Sequence, residues 1–255
     1  DRFSEYESFQ KNSKFVILDF NGEYGDVFQD ANVYNLSTRG LLGAIEHSSE
    51  TKASRYPIAI DDLMNEDFWA IILEATDKTQ KPFIRRTIKT FTRILNRQED
   101  FSLDKLCELI IKTQAKYPEL KYTISDVFEA FKLKKEFDEL DANISYNAQS
   151  KQFYIGRCYD ITADYIQQAL FSESTLNPDC IYDLPIFSIF EFAIKYNYWL
   201  EISRSYITKE HIAPLIARAG GRCEDMIKVF DVVKSNEYSQ HITKIKNVEV
   251  ISLLN

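Results

Sequence analysis

The chain of 255 residues is 45% hydrophobic and 14% aromatic, ample for a packed core, and its 7 Gly and 6 Pro disfavour loop-rich sandwiches and barrels in favour of helices. Cys107, Cys158, Cys180 and Cys223 form no CxxC pair and have no histidine at zinc-ligand spacing, so they read as reduced core thiols of a cytoplasmic protein. The net charge of -8 gives no general ground for nucleic-acid binding, but it is uneven: residues 1–77 hold 15 acids and 6 bases, whereas residues 78–98 hold 7 bases and no acid.

Along the chain, the opening DRFSEYESFQKNSKF lacks the basic-then-apolar order of a secretory signal. Residues 15–18, FVIL, are a continuous run of β-formers ending in Asp19, the pattern of a strand buried on both faces of a parallel sheet. Helical periodicity then dominates. IDDLMNEDFWAIILEA offers acids for a first turn and Leu63, Trp69, Ile72 and Ala75 for a core. Pro82 suits the first turn of a helix whose stripe is Ile84, Ile88, Phe91 and Leu95. Ser102, Ser125 and Thr162 are placed as caps of three further helices. Between the last two, ANISYNAQSKQFYIG has no decisive period and is compatible with a small hairpin.

A long apolar helix is expected from about Leu184 to Ile202; it carries Glu191 and is too short in its most apolar part to span a bilayer, so no membrane attachment is expected. Thr208 is placed as the cap of the next helix, with Gly220 and Gly221 as its stop and CEDMIKVFDVV as the last helix. Residues 248–254, VEVISLL, read as a second strand. A lone strand at each end of a helical block cannot form a stable sheet, yet the two can pair in parallel if the block acts as one long crossover.

The segment FVILDFNGEYGDVF carries the sharpest chemistry. A strand that delivers Asp19 at its C-terminal end, with Glu23 following Asn21 and Gly22, puts two acids at the edge of a sheet where α/β proteins bind ligands. The competing reading is a tight Asn21-Gly22 hairpin with both acids solvated. Asp19, Gly22, Glu23 and Tyr24 match the "ILDxxGEY" strand of HerA-type P-loop ATPases, and the chain resembles that family. The stretch YPIAIDDLMNEDFWAIILEATDKTQKPFIRR is similar to the start of the family's helical insertion, and VEVISLLN to the strand that resumes its core.

The resemblance implies a mainly α chain: a partial RecA-like core over residues 1–37, a helical insertion over 38–244 and a returning core strand over 245–255. It also implies a parent that is a homo-hexameric ATPase using ATP and Mg on duplex DNA, working with a nuclease or a defence effector protein. Asp19 and Glu23 would then orient magnesium-bound water or the neighbouring site, with Asn21, Gly22 and Tyr24 in the nucleotide-side loop. No GxxxxGK[ST] occurs in the sequence, so the phosphate cradle and its lysine are expected outside it and the chain is expected to be inactive alone.

The second feature is TQKPFIRRTIKTFTRILNRQ, where Arg85, Arg86, Lys89, Arg93 and Arg97 fall opposite the apolar stripe of one helix. Such a face contacts DNA phosphates, pairs with the acidic residues 1–77 of a neighbouring subunit, or is simply solvated. A free-standing helical module that binds an acidic partner through this helix is the alternative function. His47, His211 and His241 have no metal partners at useful spacing, and the aromatic run Phe187 to Trp199 is expected in a core. Arg218 and Arg222 are expected either across a subunit boundary or at a helix C-terminus.

Overall fold

The structure, a computed structural model, describes residues 15–20, 24, 32–37, 55–98, 118, 144–155, 180–244 and 248–253. The helices expected after Ser102, Ser125 and Thr162 lie outside these residues, as do His47 and residues 21–23. In chain order the elements are β1 (Phe15–Asp19), β2 (Asn32–Leu36), β3 (Tyr56–Ala59), a 3-10 turn (Ile60–Met64), α1 (Glu66–Ile72), α2 (Gln80–Leu95), β4 (Ile144–Asn147) and β5 (Gln152–Ile155). There follow a second 3-10 turn (Cys180–Asp183), α3 (Ile186–Ser203), α4 (Lys209–Val229), β6 (Phe230–Val233), α5 (Ser235–Lys244) and β7 (Val248–Leu253). They divide into two compact units, residues 1–63 with 224–255, and residues 64–223.

The first unit holds a parallel sheet in the order β1-β7-β2, with Phe15 opposite Val248 and Asp19 opposite Ser252. The two terminal apolar runs are therefore neighbouring parallel strands, as expected if the block between them acts as one long crossover. β2, which reads NVYNL, escapes sequence reading because its polar residues interrupt the β pattern. A second parallel pair, β3 with β6, is likewise unexpected: Pro57 demotes YPIA as a strand, and FDVV reads as the end of a helix. β1 corrects one expectation. Among the described strands it lies at the edge of its sheet, and Val16 and Leu18 are each 59% exposed rather than buried on both faces.

The second unit is helical around a packed aromatic core. Trp69 of α1 stacks on Phe190 of α3 with ring centroids 3.4 Å apart, and Phe91 of α2 meets Phe190 edge-on. Phe187, Phe192, Tyr196, Tyr198 and Trp199 are buried too, so the aromatic run of α3 is core. α1 starts at Asn65, whose side chain accepts the Asp67 N–H; the acids at 61 and 62 instead sit in the 3-10 turn before it. Residues 144–155 form the antiparallel hairpin β4–β5, closed by Asn147 accepting the Gln149 and Ser150 N–H groups, with Lys151 at positive φ.

Gly220 and Gly221 do not stop α4, because buried Ile212, Leu215, Ala219 and Cys223 continue one stripe straight through them. A Cβ on Gly220 would lie 3.2 Å from Glu191 Oε1, so glycine there lets α4 approach α3. Burial, with the Glu191 carboxylate adding to it, pushes the Cys223 thiol well above its ordinary range.

Candidate functional site

Asp19 is the last residue of β1 and only 2% exposed. Its Oδ2 accepts the backbone N–H of Tyr24 at 2.9 Å. The carboxylate therefore acts on the loop's backbone, while the Tyr24 side chain stays exposed. Asn21, Gly22 and Glu23 lie outside the described residues. Because β1 and β2 both run parallel to β7, they run parallel to each other, and Asn21-Gly22 does not close a hairpin between them. Asp19 is likewise not the solvated acid of the competing reading.

Among the described residues no group of three His, Cys, Asp or Glu side chains is placed to hold a metal ion. The sequence has no Gly-rich phosphate loop either. What the described residues show at this edge is a buried carboxylate bound to the backbone at Tyr24.

The basic face of α2 is partly neutralised within its own unit. Arg85 makes a two-pronged contact with Glu66, Nε to Oε2 at 2.5 Å and Nη2 to Oε1 at 2.7 Å, and Lys81 meets Asp67 at 2.5 Å. The hydrogen bond from Arg85 holds the Glu66 carboxyl below the usual carboxylate range, and the bond to Asp67 raises Lys81. Arg86 forms the same fork on Glu201 of α3, at 2.6 and 2.7 Å, and that bond raises its own basicity. Glu66 and Asp67 belong to the acidic residues 1–77, so part of that acidity has its partner in the same chain. Helix periodicity cannot reveal these pairs, since Glu66 and Glu201 lie 19 and 115 positions from their arginines.

Lys89 is exposed and has no ion-pair partner among the described residues, and Arg93 is exposed on the same side. Arg97 does not share the face. α2 ends at Leu95, Asn96 is its C-cap, and Arg97 takes φ 51° with its guanidinium 4.6 Å from the centre of the Tyr182 ring. The helix stops there because Asn96 and Arg97 send their N–H groups back to Thr92 and Ile94.

His211 is an exposed residue of the first turn of α4, its carbonyl taken by Gln80 Nε2 at 2.9 Å. Arg218 binds the carbonyls of Leu73 and Glu74 at 2.8 and 3.3 Å, where α1 ends, and Arg222 reaches the Glu74 carboxylate at 2.6 Å. Both arginines thus have helix-end partners within the chain. Among the described residues no helix is long and apolar enough to cross a membrane.

Comparison with protein families places a match over residues 3–171 with the family described as "Helicase HerA, central domain". The match contains β1, its Asp19 loop and α2, and ends before α3. No curated protein and no solved structure matches the chain.

Proposed function

This chain belongs to the family of the HerA helicase central domain, and from that premise we propose that it is part of an ATP-dependent DNA translocase, supplying core strands and a helical insertion. The observation that carries the reading is the state of β1. It is a parallel edge strand whose terminal Asp19 is buried and hydrogen-bonded, while Val16 and Leu18 are exposed on a face that parallel sheets ordinarily keep covered. Such a strand suits a larger α/β core, with Asp19 at the edge where these cores bind ligands.

ATP and magnesium would bind in the parent protein through a phosphate loop that this sequence does not contain. When bound, they supply the phosphoryl-transfer chemistry. Asp19 holds the loop that carries Glu23, and the parent assembles as a cytoplasmic hexamer on duplex DNA. Alone, the chain does not hydrolyse ATP, because positioning and charge around the phosphates supply nearly all of that catalysis.

The experiment uses the parent ATPase. Asp19→Ala, which removes the acceptor of the Tyr24 N–H, is expected to lower ATP hydrolysis on the order of 10²-fold, the effect of a misplaced catalytic loop. Unchanged hydrolysis would remove Asp19 from the site. Lys89→Glu with Arg93→Glu then separates the roles of the basic face. A flattened salt dependence of DNA binding with an intact ring assigns these residues to DNA, since each phosphate contact contributes about 0.9 to the slope of log affinity against log salt. Loss of the ring in mass photometry assigns them to a neighbouring subunit instead.

A further inference from the structure

α3 has no exposed residue along its whole length, and its sequence IFSIFEFAIKYNYWLEIS is apolar on nearly every side. A helix of this kind has no single stripe to choose its rotation, and sliding it by a turn against a neighbour exchanges one apolar contact for another. Something other than hydrophobicity must select one packing.

The face of α2 turned to α3 carries a polar ladder. Arg86 pairs with Glu201, and Thr90 Oγ1 donates to Asn197 Oδ1 at 3.0 Å. The two rungs step by four residues on each helix and in opposite directions, so they match only in one antiparallel register. Moving α3 by one turn breaks both rungs together.

The ladder is not a stabilising device. Thr87 Oγ1 and Asn197 Nδ2 are buried with no hydrogen-bond partner among the described residues, although Thr87 lies one turn from Thr90 and Nδ2 belongs to the same amide as the acceptor. Buried polar atoms left unsatisfied weaken a fold, and apolar groups of the same shape do better. We propose that the Arg86–Glu201 and Thr90–Asn197 rungs are a register lock, which fixes the rotation and axial position of α3 on α2 at a net cost in stability.

The full chain tests this with its own reporters. Trp69 and Trp199 are its two tryptophans, both buried, and Trp69 stacks on α3 itself. Thr90→Val with Asn197→Leu removes the inner rung while keeping the branching of both side chains. The thermal midpoint is expected to stay or rise, while the two indole N–H resonances broaden or multiply as α3 samples other registers. Two sharp indole signals at their original shifts, with an unchanged or higher midpoint, would overturn the lock. A variant that melts earlier, or fails to fold, would overturn it too, because the rung would then be a source of stability. Thr87→Val is the control: a raised midpoint with unchanged indole signals is expected, and a lowered midpoint shows that the hydroxyl is engaged and the cost unreal.

Discussion

Glu74 holds φ 51°, a left-handed conformation that costs a side-chain-bearing residue roughly 1–2 kcal/mol, and it does so just beyond the C-cap of α1. Two arginines of α4 hold it there by different means. Arg218 donates to the Leu73 and Glu74 carbonyls, the negative end of the α1 dipole, whereas Arg222 reaches only the exposed Glu74 carboxylate. The partly buried contact to backbone dominates. Arg218→Ala is expected to lower stability by about 1–2 kcal/mol, and Arg222→Ala by less than about 1 kcal/mol, measured by urea unfolding with an unchanged slope. Equal losses would mean that the carboxylate pair, not the capped carbonyls, holds the turn.

At the scale of elements, ion pairs of unequal weight join α2 to α1 and to α3. Arg85 and Glu66 lie at the surface, where water screens the pair, while Glu201 under Arg86 is buried and has no other ion-pair partner among the described residues. Arg86→Ala is expected to cost about 2 kcal/mol, below the roughly 3–5 kcal/mol of a fully buried pair because Arg86 is itself half-exposed. Arg85→Ala should fall within the error of the same unfolding experiment. The Glu66 link is present above that residue's ordinary value of 4.5 and is lost as pH falls through its lowered folded value, so this link between α1 and α2 loosens in acid. Long periodic elements were legible in the sequence: the buried stripe of α2 and the apolar length of α3 declare themselves. Gly220-Gly221 misleads because a glycine stop needs the chain to turn left-handed, and the buried stripe of α4 outweighs that tendency. Asp19 was legible as the acid ending a strand, but its grip on the Tyr24 N–H and the partners of Arg85 and Arg86 depend on tertiary placement that no local period encodes.

For the whole molecule, the most distant strand pairing among the described residues is also the one on which a sheet depends. β7 is the central strand of β1-β7-β2, so among the described strands β1 and β2 each pair with residues 248–253 alone. A central strand uses its N–H groups toward both neighbours, and proline there removes a ladder bond whichever way it points. Val250 is fully buried at the middle of β7, opposite Ile17 on one side and Val33 on the other. Val250→Pro is therefore expected to strip hydrogen-exchange protection from Phe15–Asp19 and Asn32–Leu36 together. The amides of α2 and α3 should keep theirs, because residues 64–223 form a compact unit with its own aromatic core. Loss of protection throughout the chain would show that the helical unit does not stand without the sheet. Retained protection in β1 alone would show that its edge is held by something other than β7.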